Sequence, residues 1–151
     1  MNPIEHIGVT ATRAGLSEAQ ARKARWALEQ LRDRHGATTL HHGDCVGGDA
    51  DVAEVARELG YRLVSHPCDL DAYRAFVPSD EELPERDPIE RNHDIVDASG
   101  YLLGFSPADH EIRRSGTWQT IRYARRLGRP RWVVGPSGVE IERQALPVVS
   151  S

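Results

Sequence analysis

No stretch of this chain is apolar for the roughly 18 residues that a bilayer-spanning helix requires, so no membrane role is expected. The segment Met1 to Arg13 lacks a basic start followed by a long apolar run, and a secretory leader is not expected either. Cysteine is scarce: Cys45 and Cys68 stand far apart without metal-type spacing. That argues against a structural disulfide and suits a reducing cytoplasm, the expected location. Aromatic residues are sparse at 6%, and there is no excess of positive charge; the net charge is −4. The segment from Pro78 to Pro88 carries all of it, with Asp80, Glu81, Glu82, Glu85 and Asp87 against Arg86. The remainder is near neutral, so no general basic field exists for a nucleic-acid backbone, and nucleic acid is not the expected partner.

What is present is an ordinary globular composition, 39% hydrophobic and 28% charged over 151 residues, enough for a single domain over 1–151 with one sizeable core. Short apolar runs at 4–10, 38–42, 61–65, 101–105 and 131–135 read as five strands. Between them lie helical patterns. Ser17 and Gln20 form a capping box before a helix to about Arg34, ended by Gly36. Further helices are expected from Asp49 to Leu59, Glu90 to Ala98, and Gly116 to Leu127. Leu70 to Phe76 reads as a helical turn inside a long acidic loop, and residues 139–151 as a loosely attached tail. Alternating strands and helices predict an α/β fold: a doubly wound parallel sheet with helices on both faces. Ligands bind such sheets beyond the carboxyl ends of the strands.

Three segments there carry candidate chemistry. Ser115-Gly116-Thr117 opens a helix, whose unpaired N–H groups and partial positive charge hold anions, with Arg114 adjacent. The plain alternative is an N-cap made by Ser115 or Thr117. Gly43-Asp44-Cys45-Val46-Gly47-Gly48-Asp49 joins a strand to a helix, and its three glycines suit backbone bending or close approach to a ligand. It lacks the Gly-Lys-Ser/Thr of a Walker loop and the spacing of a dinucleotide fingerprint. Asp44 and Asp49 would repel phosphate and better suit ribose hydroxyls; the plain alternative is a tight turn capped by Asp49. Glu90-Arg91-Asn92-His93-Asp94 opens the helix before the fourth strand. Thr10 and Arg13, at the end of the first strand, complete the expected binding set. His41, His42, Asp44 and Cys45 are close in sequence, but adjacent strand residues face opposite ways, and no metal site is expected. A Cys45–His42 nucleophile pair is equally disfavoured, because cysteine is often merely buried.

Taken together, the blocks 42–49, 90–96 and 114–118 resemble the SLOG superfamily. More narrowly, they are similar to small bacterial and phage proteins related to YpsA and to the Lonely Guy (LOG) phosphoribohydrolases. The resemblance spans about residues 4 to 138 and implies a Rossmann-like fold and a nucleotide-type ligand. In LOG enzymes a Gly-Gly-x-Gly-Thr-x-x-Glu motif holds phosphate and supplies a catalytic Glu, assisted by an Arg. Gly116 and Thr117 match the Gly-Thr pair and Arg91 the Arg, but Thr120 stands where the Glu belongs. Two readings follow. The first is a binding or sensing domain for a phosphate-bearing nucleotide, with no cofactor. The second is an N-glycosidic hydrolase or transferase using Asp44, Glu90 and Arg91 as substitutes. A third, a single-stranded nucleic-acid binder by analogy with the SLOG relative DprA, is opposed by charge and composition. The acidic loop from Leu70 to Pro88 is expected to cover the site or to pack on a second subunit of a homodimer.

Overall fold

In a computed structural model that describes residues 4–144, seven strands form one sheet in the order β4-β3-β2-β1-β5-β6-β7. The elements are β1 (His6–Ala11), α1 (Glu18–His35), β2 (Thr39–His42), α2 (Gly48–Glu58), β3 (Arg62–Ser65), a 3₁₀ turn (Asp71–Tyr73), β4 (Glu81–Glu82), α3 (Pro88–Asp97), β5 (Tyr101–Phe105), α4 (Gly116–Arg126), β6 (Arg131–Val134) and β7 (Glu140–Arg143). All neighbours pair in parallel except β6 and β7, which are antiparallel. The fold is therefore α/β with a mostly parallel sheet flanked by helices. No helix among the described residues is long and apolar enough to cross a membrane.

The pleat sorts the core. Successive strand residues face opposite ways. Ile7, Val9, Leu40, Leu63 and Leu103 pack with Ala24, Leu28 and Leu31 of α1 and with Val52 and Ala56 of α2. The alternate residues Leu102 and Val133 pack with Val96 of α3 and with Trp118, Ile121 and Ala124 of α4. Helices thus cover both faces. The chain turns from building outward through β2 and β3 to building outward through β5 and β6, so the strand order reverses between β1 and β5.

Local signals explain most element ends. Ser17 Oγ accepts from Gln20 N and Gln20 Oε1 from Ser17 N, both at 3.1 Å, closing the capping box. The Gln20 amide then donates to the Ser106 and Val134 carbonyls, tying α1 to the ends of β5 and β6. Asp87 caps α3 by accepting from Ile89 N and Glu90 N.

Two expectations need correction. The sheet has seven strands rather than about five. β4 is an acidic dipeptide with no apolar signal, held because Val64 and Ser65 offer it a free edge. β7 falls in the segment read as a loose tail: residues 140–143 return antiparallel along β6, and Glu142 pairs with Arg131 and Arg125. The rest of that segment, 145–151, lies outside the described residues.

Candidate functional site

The carboxyl ends of β1, β2 and β5 leave a cavity of about 520 Å³ at the strand-order reversal, within the range of small-molecule sites. Eight of the residues expected from sequence line it: Thr10, Arg13, Asp49, Arg91, Arg114, Ser115, Gly116 and Thr117. Gly43, Asp44, Gly47, Gly48 and Glu90 do not. Cys45, Asn92 and Gln119, which the sequence reading left out of the binding set, do. For Asn92 and Gln119 the signal was available, since each lies one or two helix positions from an expected residue.

One wall is the start of α4. Ser115 is the N-cap, and its Oγ accepts from Trp118 N at 3.2 Å. That spends the serine but leaves the Gly116 and Thr117 N–H groups without a bond to any described residue. Thr117 is 7% exposed and lines the cavity, and its hydroxyl makes no hydrogen bond to another described residue. Thr120, at the position of the LOG glutamate, does not share this pocket. Thr120 is buried, and its Oγ1 donates back to the Gly116 carbonyl at 3.0 Å. A threonine on a helix readily bonds the carbonyl four residues earlier, which takes it out of the cavity.

The floor holds a buried arginine near a buried carboxylate, without a direct ion pair between them among the described residues. Arg91, 6% exposed, donates through Nη1 to Gly43 O (2.5 Å) and His66 O (3.2 Å), and through Nε to Asn92 Oδ1 (2.8 Å); Nη2 lies 3.5 Å from Cys45 Sγ. Asp49 is not the cap of α2; the helix starts at Gly48, and Asp49 Oδ2 folds back to accept Gly43 N at 3.1 Å. Burial pushes the Asp49 carboxyl up to about 6, against the pull of Arg91 and the backbone N–H groups of Cys45, Gly43 and Ala11. Burial also pushes the Cys45 thiol up to about 11, so it is protonated at neutral pH. His42 engages Ser79 and the Asp44 N–H rather than Cys45. Three arginines and one carboxylate line the cavity among the described residues, giving it a cationic character.

Gly47 and Gly48 of the 43–49 loop pack on the protein's own backbone, and Gly43 on the Asp49 and Arg91 side chains. Gly47 sits at φ 90°, where a side chain would overlap the Arg13 carbonyl. A side chain on Gly48 would come within 2.7 Å of the Thr12 carbonyl, which accepts Gly48 N at 2.8 Å. These contacts fix where Arg13 begins. Asp44 is fully buried and anchors the acidic loop: its oxygens accept from Arg74 Nε (2.8 Å) and Val77 N (2.7 Å), and its carbonyl from Ala75 N (2.7 Å). Glu90 is exposed and pairs with Arg86. Neither is positioned in the cavity, because a carboxylate beside a buried arginine is claimed by it, and one on a solvated helix turn stays in water. Of the basic stretch 113–131, Arg122, Arg125 and Arg131 pair with Glu111 or Glu142, while Arg114 lines the cavity.

No protein-family model and no curated protein sequence matches the chain. Solved structures do share its fold. The molybdenum cofactor binding protein from the phototrophic bacterium Rippkaea orientalis is similar over 89% of this chain and 77% of its own, with TM-score 0.62 and 17% identity. DNA processing protein A from Helicobacter pylori, described for its single-stranded DNA binding mode, is similar over 87% of this chain and 66% of its own, with TM-score 0.62 and 17% identity. DNA processing protein A from Streptococcus pneumoniae is similar over 87% of this chain and 50% of its own, with TM-score 0.63 and 17% identity. At this identity the likeness is one of fold alone.

Proposed function

We propose that the chain binds a phosphate-bearing nucleotide or nucleotide derivative in this cavity, as a binding or sensing domain of Rossmann-like type. The observation that carries the reading is Thr117: a hydroxyl on a nine-tenths buried residue, unpartnered among the described residues, beside two unpaired N–H groups at a helix start. A phosphate oxygen satisfies all three donors at once, and the helix dipole favours its charge. Arg114 and Arg13 add attraction from the rim, and Asp49 supplies acceptors for sugar hydroxyls. Thr117→Val keeps the shape and removes the donor. Calorimetry with adenosine 5′-monophosphate is expected to show a loss of about 1–3 kcal/mol in that variant, the range for a charge-assisted bond. Unchanged affinity would remove the phosphate from this wall.

The fold does not by itself exclude nucleic acid, since a single-stranded-DNA-binding protein shares it. Charge does argue against a long polyanion, because Asp71, Asp80, Glu81 and Glu82 are exposed on the segment between β3 and α3. A second reading is the N-glycosidic enzyme, and Asp49 favours it. It is the one carboxylate lining the cavity among the described residues, and it is poised near 6 beside Arg91. An oxocarbenium-like transition state needs such a group. Under that reading free base appears when the protein is incubated with nucleoside monophosphates, and Asp49→Asn lowers the rate by at least about a hundredfold. Chromatography showing no base release by the wild type removes the enzyme reading.

A further inference from the structure

Two arginines stand over aromatic rings, and their surroundings distinguish them. The Arg74 guanidinium is 4.3 Å from the Phe76 ring centroid, but its charge is spent on Asp44 and Glu82 and its side chain is 8% exposed. The Arg13 guanidinium is 4.0 Å from the Tyr73 ring centroid, and it has no carboxylate partner among the described residues. Arg13 is exposed and lines the cavity, whereas Tyr73 does not. The guanidinium thus stands over the ring on a residue that lines the cavity, while the ring itself does not line it.

Both partners are rooted firmly. The Arg13 backbone is held by the close packing of Gly47 against its carbonyl. Tyr73 is held by Val46 N donating to its carbonyl at 3.0 Å, and by the Asp44–Arg74 anchor next to it. A planar cation backed by an aromatic ring has already lost the freedom that binding would otherwise remove, and at a cavity wall it suits another flat π system. Guanidinium planes stack nucleobases in this way.

We propose that Arg13, backed by Tyr73, is the base-stacking element of the site, and that the ligand is a nucleotide whose planar base lies on the cavity side of the guanidinium. This rests on the phosphate reading above, because it takes the phosphate at α4 as the far end of the ligand. The stack has no hydrogen-bonding edge of its own, so it selects for ring area and favours purines over pyrimidines without naming one base.

The test compares adenosine 5′-monophosphate, uridine 5′-monophosphate and ribose 5-phosphate by calorimetry in four proteins: wild type, Arg13→Lys, Tyr73→Phe and Tyr73→Ala. The wild type is expected to bind adenosine 5′-monophosphate about tenfold more tightly than ribose 5-phosphate, with uridine 5′-monophosphate between them. Arg13→Lys keeps the charge and loses the plane; it removes most of the tenfold difference and changes ribose 5-phosphate by less than about twofold. Tyr73→Phe behaves as wild type, and Tyr73→Ala loses about threefold to fivefold for the adenine nucleotide alone. Equal binding of adenosine 5′-monophosphate and ribose 5-phosphate by the wild type overturns the stacking and leaves the phosphate site standing. A parallel loss for both ligands in Arg13→Lys also overturns it, since the guanidinium then serves the phosphate or sugar that both ligands share. Binding of no ligand by the wild type overturns both proposals.

Discussion

Arg91→Met is expected to destabilise the protein by about 3–5 kcal/mol, read as a lowered urea midpoint with an unchanged slope. Arg91 joins three segments that are distant in sequence. From α3 it reaches the carbonyl of Gly43, just after β2, and that of His66, just after β3. Methionine fills much of the same space but leaves both carbonyls without that donor, and it leaves the Asp49 carboxyl buried without its cation. Asp49 would then titrate still higher. Adding Asp49→Asn to Arg91→Met should therefore recover part of the loss, because an amide in place of the carboxylate no longer needs a cation. Arg91→Lys should fall between wild type and Arg91→Met, since an ammonium keeps the charge but cannot spread over the same set of acceptors. A midpoint for Arg91→Met equal to wild type would show that Arg91 is not the staple of this edge.

Mild acid is expected to be nearly as damaging. His6, His41 and His66 form a hydrogen-bonded row across β1, β2 and the end of β3, at 2.9 and 2.8 Å. Burial lowers His41 and His66 to about 4, and the charges of neighbouring histidines and of Arg91 or Arg62 add to the effect, with Glu81 opposing at His41. His42, fully buried on the other face, is lowered to about 4 by burial, with Asp44 opposing. Each is neutral in the folded state at pH 6 while the unfolded chain is already taking up protons. Their contribution is complete above the unfolded value of 6.5 and is lost as pH falls towards 4. For His42 alone that amounts to roughly 3 kcal/mol. Asp49 acts with the opposite sign. Its folded value of about 6 exceeds the unfolded 3.8, so protonation below 6 relieves a cost and offsets roughly one histidine. The net expectation is a fall of a few kcal/mol between pH 6.5 and 4, seen as a steep drop in the urea midpoint. His42→Gln should flatten that slope. A midpoint that stays level from pH 7 to 4.5 would contradict the neutral, buried state of the row.

Local periodicity and capping were enough to read the α/β alternation, the ends of α1 and α4, and the N-capped helix start at Ser115-Gly116-Thr117. These depend on residues within four positions of one another, so the sequence carries them directly. Patterns with little apolar content were not legible. Glu81-Glu82 becomes a strand only because β3 presents an unpaired edge, and 140–143 only because β6 does. The roles of the carboxylates were undecidable for the same reason. Asp44 and Asp49 lie five positions apart in one loop, yet Asp44 is claimed by Arg74 from the acidic loop and Asp49 is left facing the cavity with Arg91. The glycines between them invited a ligand, but Gly47 and Gly48 are filled by the backbone of Arg13 and Thr12. The sequence by itself determined the alternation of the main strands and helices and the capped helix start at Ser115-Gly116-Thr117. Only the tertiary structure decided which arginine meets which carboxylate, because that choice depends on segments dozens of residues apart arriving at one sheet edge, where burial makes each pairing exclusive.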